Sequence, residues 1–200
     1  MTDNLFLPFT PVGRARELSA IKVKESLGLS PYEAVDPYAV LKSVPARLLD
    51  VDSLDACSQP VRTTLLHDET EAWSAVCFGR IGCEGEALIL LNPTHHPHRQ
   101  RVSLMEEIVH LILNHPPTEL VFDDTRTWSR PFDSSVENEA YSVGAACIIP
   151  YRTLFNWIRG EGADLSTMVE RFGVSTQYVE FRIRDAGLYR MYKKARAIAS

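Results

Sequence analysis

Apolar positions are densest between Ser103 and Leu113, where Leu104, Ile108, Leu111 and Ile112 fall at i, i+4, i+7 and i+8 and Met105, Val109 and Leu113 cover much of the remaining circumference. A 3.6-residue period with apolar groups nearly all round predicts a buried helix. Three polar side chains interrupt it: Glu106, Glu107 and His110. Positions 106 and 110 lie one turn apart on one face, and 107 lies beside them. Two carboxylates and an imidazole on one side of a buried helix are unfavourable unless something pairs them. A metal ion would do so.

The same patterning places the elements around this helix. Ala15, Leu18, Ile21 and Val23 predict a first helix from Arg14 to about Leu27, stopped by Gly28, behind a loosely packed arm at 1–13 that holds Pro8, Pro11 and Gly13. Asp36 and Pro37 are suited to the N-cap and first position of a second helix, broken by Pro45. Residues 46–51 read as an edge strand, and about 53–66 as a helix interrupted by Pro60. The period then changes to two over Ala72–Phe78, and Glu86–Asn92 is a short apolar run bounded by Gly and Pro, which together predict a strand pair. After the central helix a polar loop runs to about Asp133. Ser134 and Ser135 cap a helix over 136–149 that Pro150 stops, with small residues at 144–146 that let another helix approach closely. Leu165–Phe172, a Gly173-Val174 turn and a helix capped by Ser175 and running through Arg184 form a helix-turn-helix-like pair. Strands come before the long helices rather than alternating with them. The expected fold is therefore α+β, with a small, partly antiparallel sheet from about 47–51, 72–78 and 86–91 packed on the 103–114 helix and the 136–149 helix crossing it.

Composition narrows the function classes. The 200 residues are 45% hydrophobic and 24% charged, ordinary for one compact domain with a small appendage, and a net charge of -5 gives no reason to expect general nucleic-acid affinity. Cys57, Cys77, Cys83 and Cys147 are scattered without a C-x-x-C pair, which argues against a zinc ribbon and for reduced thiols in a cytoplasm. No secretory signal is expected at Met1-Thr2-Asp3-Asn4, and no apolar run approaches the roughly 18 residues of a membrane span.

The polar face of the central helix has the spacing of the zincin motif H-E-x-x-H, whose outer residues hold zinc and whose inner Glu activates the attacking water. Here it reads Glu106-Glu107-Ile108-Val109-His110. Two uses of Glu106 stay open: a metal ligand in place of His, or the far end of a Ser103-x-x-Glu106 capping box. A third ligand has to come from a later helix. Glu137 is the candidate, although a first-turn acid is also favoured by the helix dipole alone. His95, His96 and His98 could bind a metal, but Pro97 and their polar neighbours favour a solvated loop.

Taken in order, Asp-Pro-Tyr-Ala-Val-Leu (36–41), a strand ending Leu91-Asn92, Arg-Gln-Arg-Val-Ser-Leu-Met-Glu-Glu-Ile-Val-His-Leu-Ile-Leu-Asn-His (99–115) and Glu-Asn-Glu-Ala-Tyr-Ser-Val-Gly-Ala-Ala-Cys-Ile-Ile-Pro (137–150) resemble the ImmA/IrrE metallopeptidase-like family over roughly residues 34–190. That family carries R-x-R-F/V-S/T-L-x-H-E-x-x-H-x-x-x-x-H followed by E-x-E/Q-A, an alanine-rich helix and L-L-x-P. The resemblance implies a zincin-like fold, with an N-terminal arm and helix (1–33), a metallopeptidase-like domain (34–155) and a helical C-terminal extension (156–200). It implies Glu107 as the catalytic base and His110 and Glu137 as metal ligands, with Glu106 where the first His of the motif stands. It further implies a regulatory endopeptidase whose substrate or partner is a helix-turn-helix repressor, or a protease-derived module that binds such a regulator without cleaving it.

A set of Glu106, His110 and Glu137 is harder than two His and one Glu, so selectivity should drift from Zn²⁺ toward Mn²⁺. If Glu106 closes the capping box, too few donors remain for zinc and no metal is expected. Tyr141, His115 or a loop His could stabilise an oxyanion. The C-terminal pair has two readings. In one, Thr176, Gln177 and Arg182 face a DNA groove, helped by Lys193-Lys194-Ala195-Arg196. In the other, Val169, Phe172, Val179 and Ile183 dock the pair on the core. Nine Lys/Arg against five Asp/Glu over 151–200 is a small excess, which favours docking.

Overall fold

The computed structural model describes residues 6–56, 58–68, 70–81, 85–116, 121–122, 128–129, 134–160 and 164–199. The chain opens with α1 (Pro11–Ser26) and α2 (Pro37–Leu41), where the Asp36 side chain accepts from the Tyr38 N–H and Pro37 takes the first turn as expected. β1 (Ala46–Leu48) follows, then a 3₁₀ turn over Val51–Ala56, α3 (Gln59–Thr63) and a π turn over Thr64–Asp68. β2 (Ala75–Ile81) and β3 (Glu86–Leu91) are the predicted strand pair. The sheet order is β1-β3-β2, with β1 parallel and β2 antiparallel to β3. The apolar run of β3 therefore lies in the middle of the sheet, with Ile89 fully buried.

The central helix, α4 (Pro97–Ile112), begins six residues earlier than its apolar pattern indicates. Pro97 has its φ preset for a helix's first position, and the His96 ring serves as the cap, its Nδ1 accepting from the His98 N–H at 3.1 Å. Ser103 is consequently a buried residue of the helix interior. A capping box requires its Ser at the non-helical N-cap, so that use of Glu106 is excluded. The polar start of the helix is spent on ion pairs: Arg99 with Glu71 at 2.6 Å and Arg101 with Asp36 at 2.7 Å, the latter tying α4 to the cap of α2. His95 turns inward, its Nε2 3.0 Å from the Thr70 carbonyl.

Beyond α4 the predicted polar loop includes a two-stranded ribbon, β4 (Val121–Phe122) with β5 (Trp128–Ser129). The rest of residues 117–133, and the thiols of Cys57 and Cys83, lie outside the described residues. α5 (Ser134–Ile148), α6 (Tyr151–Gly160), α7 (Leu165–Phe172), α8 (Thr176–Asp185) and α9 (Tyr189–Ala199) complete the fold. No described helix is long and apolar enough to cross a membrane. One apolar core runs from Ala20 and Val23 of α1 through α4 and α5 to Tyr192 of α9. It encloses Cys147, whose thiol burial pushes up to about 12, so this cysteine is an inert packing residue.

The helix-turn-helix-like pair docks through Phe172, Val179 and Ile183, all buried. Arg182 does not face a groove: it is 0% exposed. Its Nε donates to the Ile149 carbonyl at 2.9 Å, and its guanidinium pairs with Glu17 of α1 and with Asp185. The turn depends on Gly173, a left-handed C-cap at φ 59°. A Cβ there would lie 3.6 Å from Arg101 Cδ, an ordinary contact. Gly173→Ala should therefore destabilise through its backbone alone, by about 1–2 kcal/mol in denaturant unfolding. A smaller loss would show that the turn relaxes.

Candidate metal centre

Glu106, Glu107 and His110 project within an arc of about 100° on α4. On α5, Glu137, Tyr141 and Gly144 form an i, i+4, i+7 stripe facing them. Gly144 makes the approach possible: a Cβ there would stand 3.5 Å from Met105 Cγ and 3.8 Å from the Glu106 backbone nitrogen. Two turns earlier on α5, Glu137 comes opposite His110, with Oε2 3.5 Å from Nε2. Glu106, His110 and Glu137 each offer one ligand atom, all within 4.8 Å of one another, and all three are half-buried. Among the described residues this is the only such group of three; His95, His96 and His98 do not form one.

These donors fit a divalent ion. Ligand atoms bonded at about 2.0–2.2 Å to one centre stand roughly 3–3.6 Å apart, a separation His110 and Glu137 already have at 3.5 Å, with the Glu106 ligand atom within 4.8 Å of both. Two half-buried carboxylates this close also repel each other, which a cation offsets.

The surroundings are aromatic. Tyr141 packs edge-on against Tyr178 and Phe181 of α8, with ring centroids 5.5 and 4.8 Å away. Burial, with the Glu106 charge adding to it, pushes the Tyr141 phenol up to about 12. Tyr178 is raised well above the usual phenol range, by burial first and then by Tyr141 and Glu106. Both therefore stay protonated, and Tyr141 keeps its hydroxyl proton within the field of Glu106. His115, one of the oxyanion candidates, spends its Nδ1 elsewhere, 3.0 Å from His110 Nδ1 and on the opposite edge of that ring from Glu137. Its Nε2 lies 3.6 Å from Glu139 Oε2. The motif E-x-E/Q-A includes Glu139 without assigning it a role, and this use of His115 has no signal in the sequence.

The family profile described as the IrrE N-terminal-like domain, of the peptidase class, matches residues 62–184. The chain belongs to this family. No curated protein matches it significantly. The IrrE-like region spans β2, β3, both site helices and the helix-turn-helix-like pair, and the family is metallopeptidase-like, as the motifs at 99–115 and 137–150 imply. α1, α2, β1 and α9 lie outside the matched region, yet α1 and α9 contribute to the core beneath it.

Proposed function

We propose that this IrrE-like chain binds a divalent metal ion through Glu106, His110 and Glu137 and acts as a metal-dependent, endopeptidase-like regulatory protein on a repressor-type transcription factor. The observation that carries the reading is the convergence of three donors from two helices within 4.8 Å. A bound ion would supply Lewis-acid chemistry, acidifying a water and polarising a peptide carbonyl. Glu107, on the same face of α4, takes the proton of the attacking water and delivers it to the leaving amine. Tyr141, kept protonated by burial, donates to the developing oxyanion. The repressor as target rests on the resemblance alone.

A specific observation favours a second reading, a binding module that retains the cleft without cleaving. Glu106 brings negative charge where the motif has a neutral imidazole, which moves preference from Zn²⁺ toward Mn²⁺ and makes an acidified water harder to form. Elemental analysis of chain purified without chelator tests the metal reading. One equivalent of a divalent ion is expected in wild type, and none in His110→Ala or Glu137→Ala. No uptake from supplied Zn²⁺ or Mn²⁺ would leave the binding module.

A further inference from the structure

We propose that His115, backed by Glu139, is a positioning residue that holds His110 with its proton on Nδ1 and its Nε2 lone pair toward Glu106 and Glu137. The role rests on the metal-site reading above and adds the device that orients its single nitrogen ligand.

The end of α4 builds this contact. Leu113 caps the helix, Asn114 takes a left-handed conformation at φ 53°, and the His115 N–H reaches back to the His110 carbonyl at 3.0 Å. This six-to-one bond after a left-handed residue is the Schellman motif, which lays the side chain two positions past the cap against the one three positions before it. In most helices that contact is apolar. Here it is two imidazoles, edge to face at 4.9 Å between centroids and 3.0 Å between Nδ1 atoms. The five-residue spacing of the two histidines is thus a consequence of the turn.

One proton serves the Nδ1–Nδ1 contact, so two arrangements exist. If His115 donates, its Nε2 turns a lone pair on Glu139 Oε2 at 3.6 Å, and the proton of His110 sits on Nε2, where no metal can bind. If His110 donates, His115 Nε2–H faces Glu139, and the unprotonated His110 Nε2 faces Glu137 Oε2 at 3.5 Å. Two lone pairs then meet across the cleft, a clash that a cation converts into ligation. The second arrangement is the one that presents a lone pair of His110 to an ion. The His115 side chain is 10% exposed, so water does not readily replace it as acceptor. Outer partners of metal-binding histidines fix ring and tautomer in this way, and their loss typically weakens binding 10–100-fold.

The test is the affinity of the full chain for Zn²⁺ and Mn²⁺, each supplied alone, together with thermal unfolding of the metal-free variants. His115→Phe keeps a ring but no acceptor and is expected to bind at least tenfold more weakly. His115→Asn places Oδ1 where Nδ1 stood and should stay within about threefold of wild type. Glu139→Gln is expected to lose a few-fold, and no change there would remove Glu139 from the role. Asn114→Gly should preserve binding. Asn114→Val, strained at positive φ, should weaken it without touching either ring, which carries the test if His115→Phe folds poorly. Wild-type affinity in His115→Phe, or an equal loss in His115→Asn, would overturn the positioning role and leave the metal site standing. A wild type that takes up neither ion would remove the metal site, and with it this role.

Discussion

Arg182→Met is expected to destabilise the chain by about 3–5 kcal/mol, the usual consequence of removing one partner from a buried ion pair. Single domains are held by only about 5–15 kcal/mol, so the variant should melt far earlier or fail to accumulate. Glu17 is 3% exposed and would keep its charge with one partner fewer. It retains the Tyr151 N–H at 2.9 Å and the longer-range attraction of buried Lys24, while Asp185 keeps Arg16. The Ile149 carbonyl, at the junction of α5 and α6, would lose its donor as well. Neutralising the stranded carboxylate should recover much of the loss: Glu17→Gln/Arg182→Met keeps an acceptor for Tyr151 and removes the buried charge. Denaturant unfolding of the two variants reads the difference. A loss under about 1 kcal/mol for Arg182→Met would show that water solvates the cluster, as it does a surface pair.

That cluster marks a limit of the sequence. Gly173 and Ser175 announce their roles locally, and the end of α7 and the start of α8 accordingly fall where those residues place them. The fate of Arg182 is not local, because its main partner Glu17 lies 165 residues away. On a helical wheel it passes for a surface cation available to DNA. The early start of α4 was hidden for a related reason. Residues 98–101 are polar, and the partners of Arg99 and Arg101, Glu71 and Asp36, lie 28 and 65 residues away. β1 is shorter than its apolar run, since only Ala46–Leu48 finds a register on β3. α6 and α9 were not separated from the general helical character of the C-terminal extension.

The grouping of the candidate residues is legible in part along the chain. Glu106 and His110 are fixed to one face by helical period alone, and the small residues at 144–146 on α5 pointed to close helix packing. Gly144 against Met105 and Glu106 supplies it, and Glu137 arrives opposite His110 in consequence. What periodicity could not supply was the turn at Asn114, because any left-handed residue after Leu113 redirects His115 regardless of the helical pattern before it.

The substitution with most to say about function is Glu106→His. It is expected to raise Zn²⁺ affinity by tenfold or more, on the order of 1.4 kcal/mol, and to reverse any preference for Mn²⁺. Glu106 is half-buried and its ligand atom already lies within 4.8 Å of His110 and Glu137, so an imidazole there enters a formed cluster. The exchange replaces a hard anionic oxygen by a neutral nitrogen, which suits zinc. It also removes one negative charge beside Glu107, so a water in the cleft gives up its proton nearer neutral pH. Cleavage of a supplied repressor should rise with affinity. Adding Glu107→Gln separates binding from chemistry: affinity should hold while cleavage falls by about 10²–10⁴-fold, the contribution of a positioned base. A rise in affinity with no cleavage in Glu106→His would assign the chain to binding rather than hydrolysis. No Zn²⁺ uptake by Glu106→His or by wild type would mean that the cleft is not a metal site, and Glu106, His110 and Glu137 would then be the polar floor of a groove that recognises a regulator.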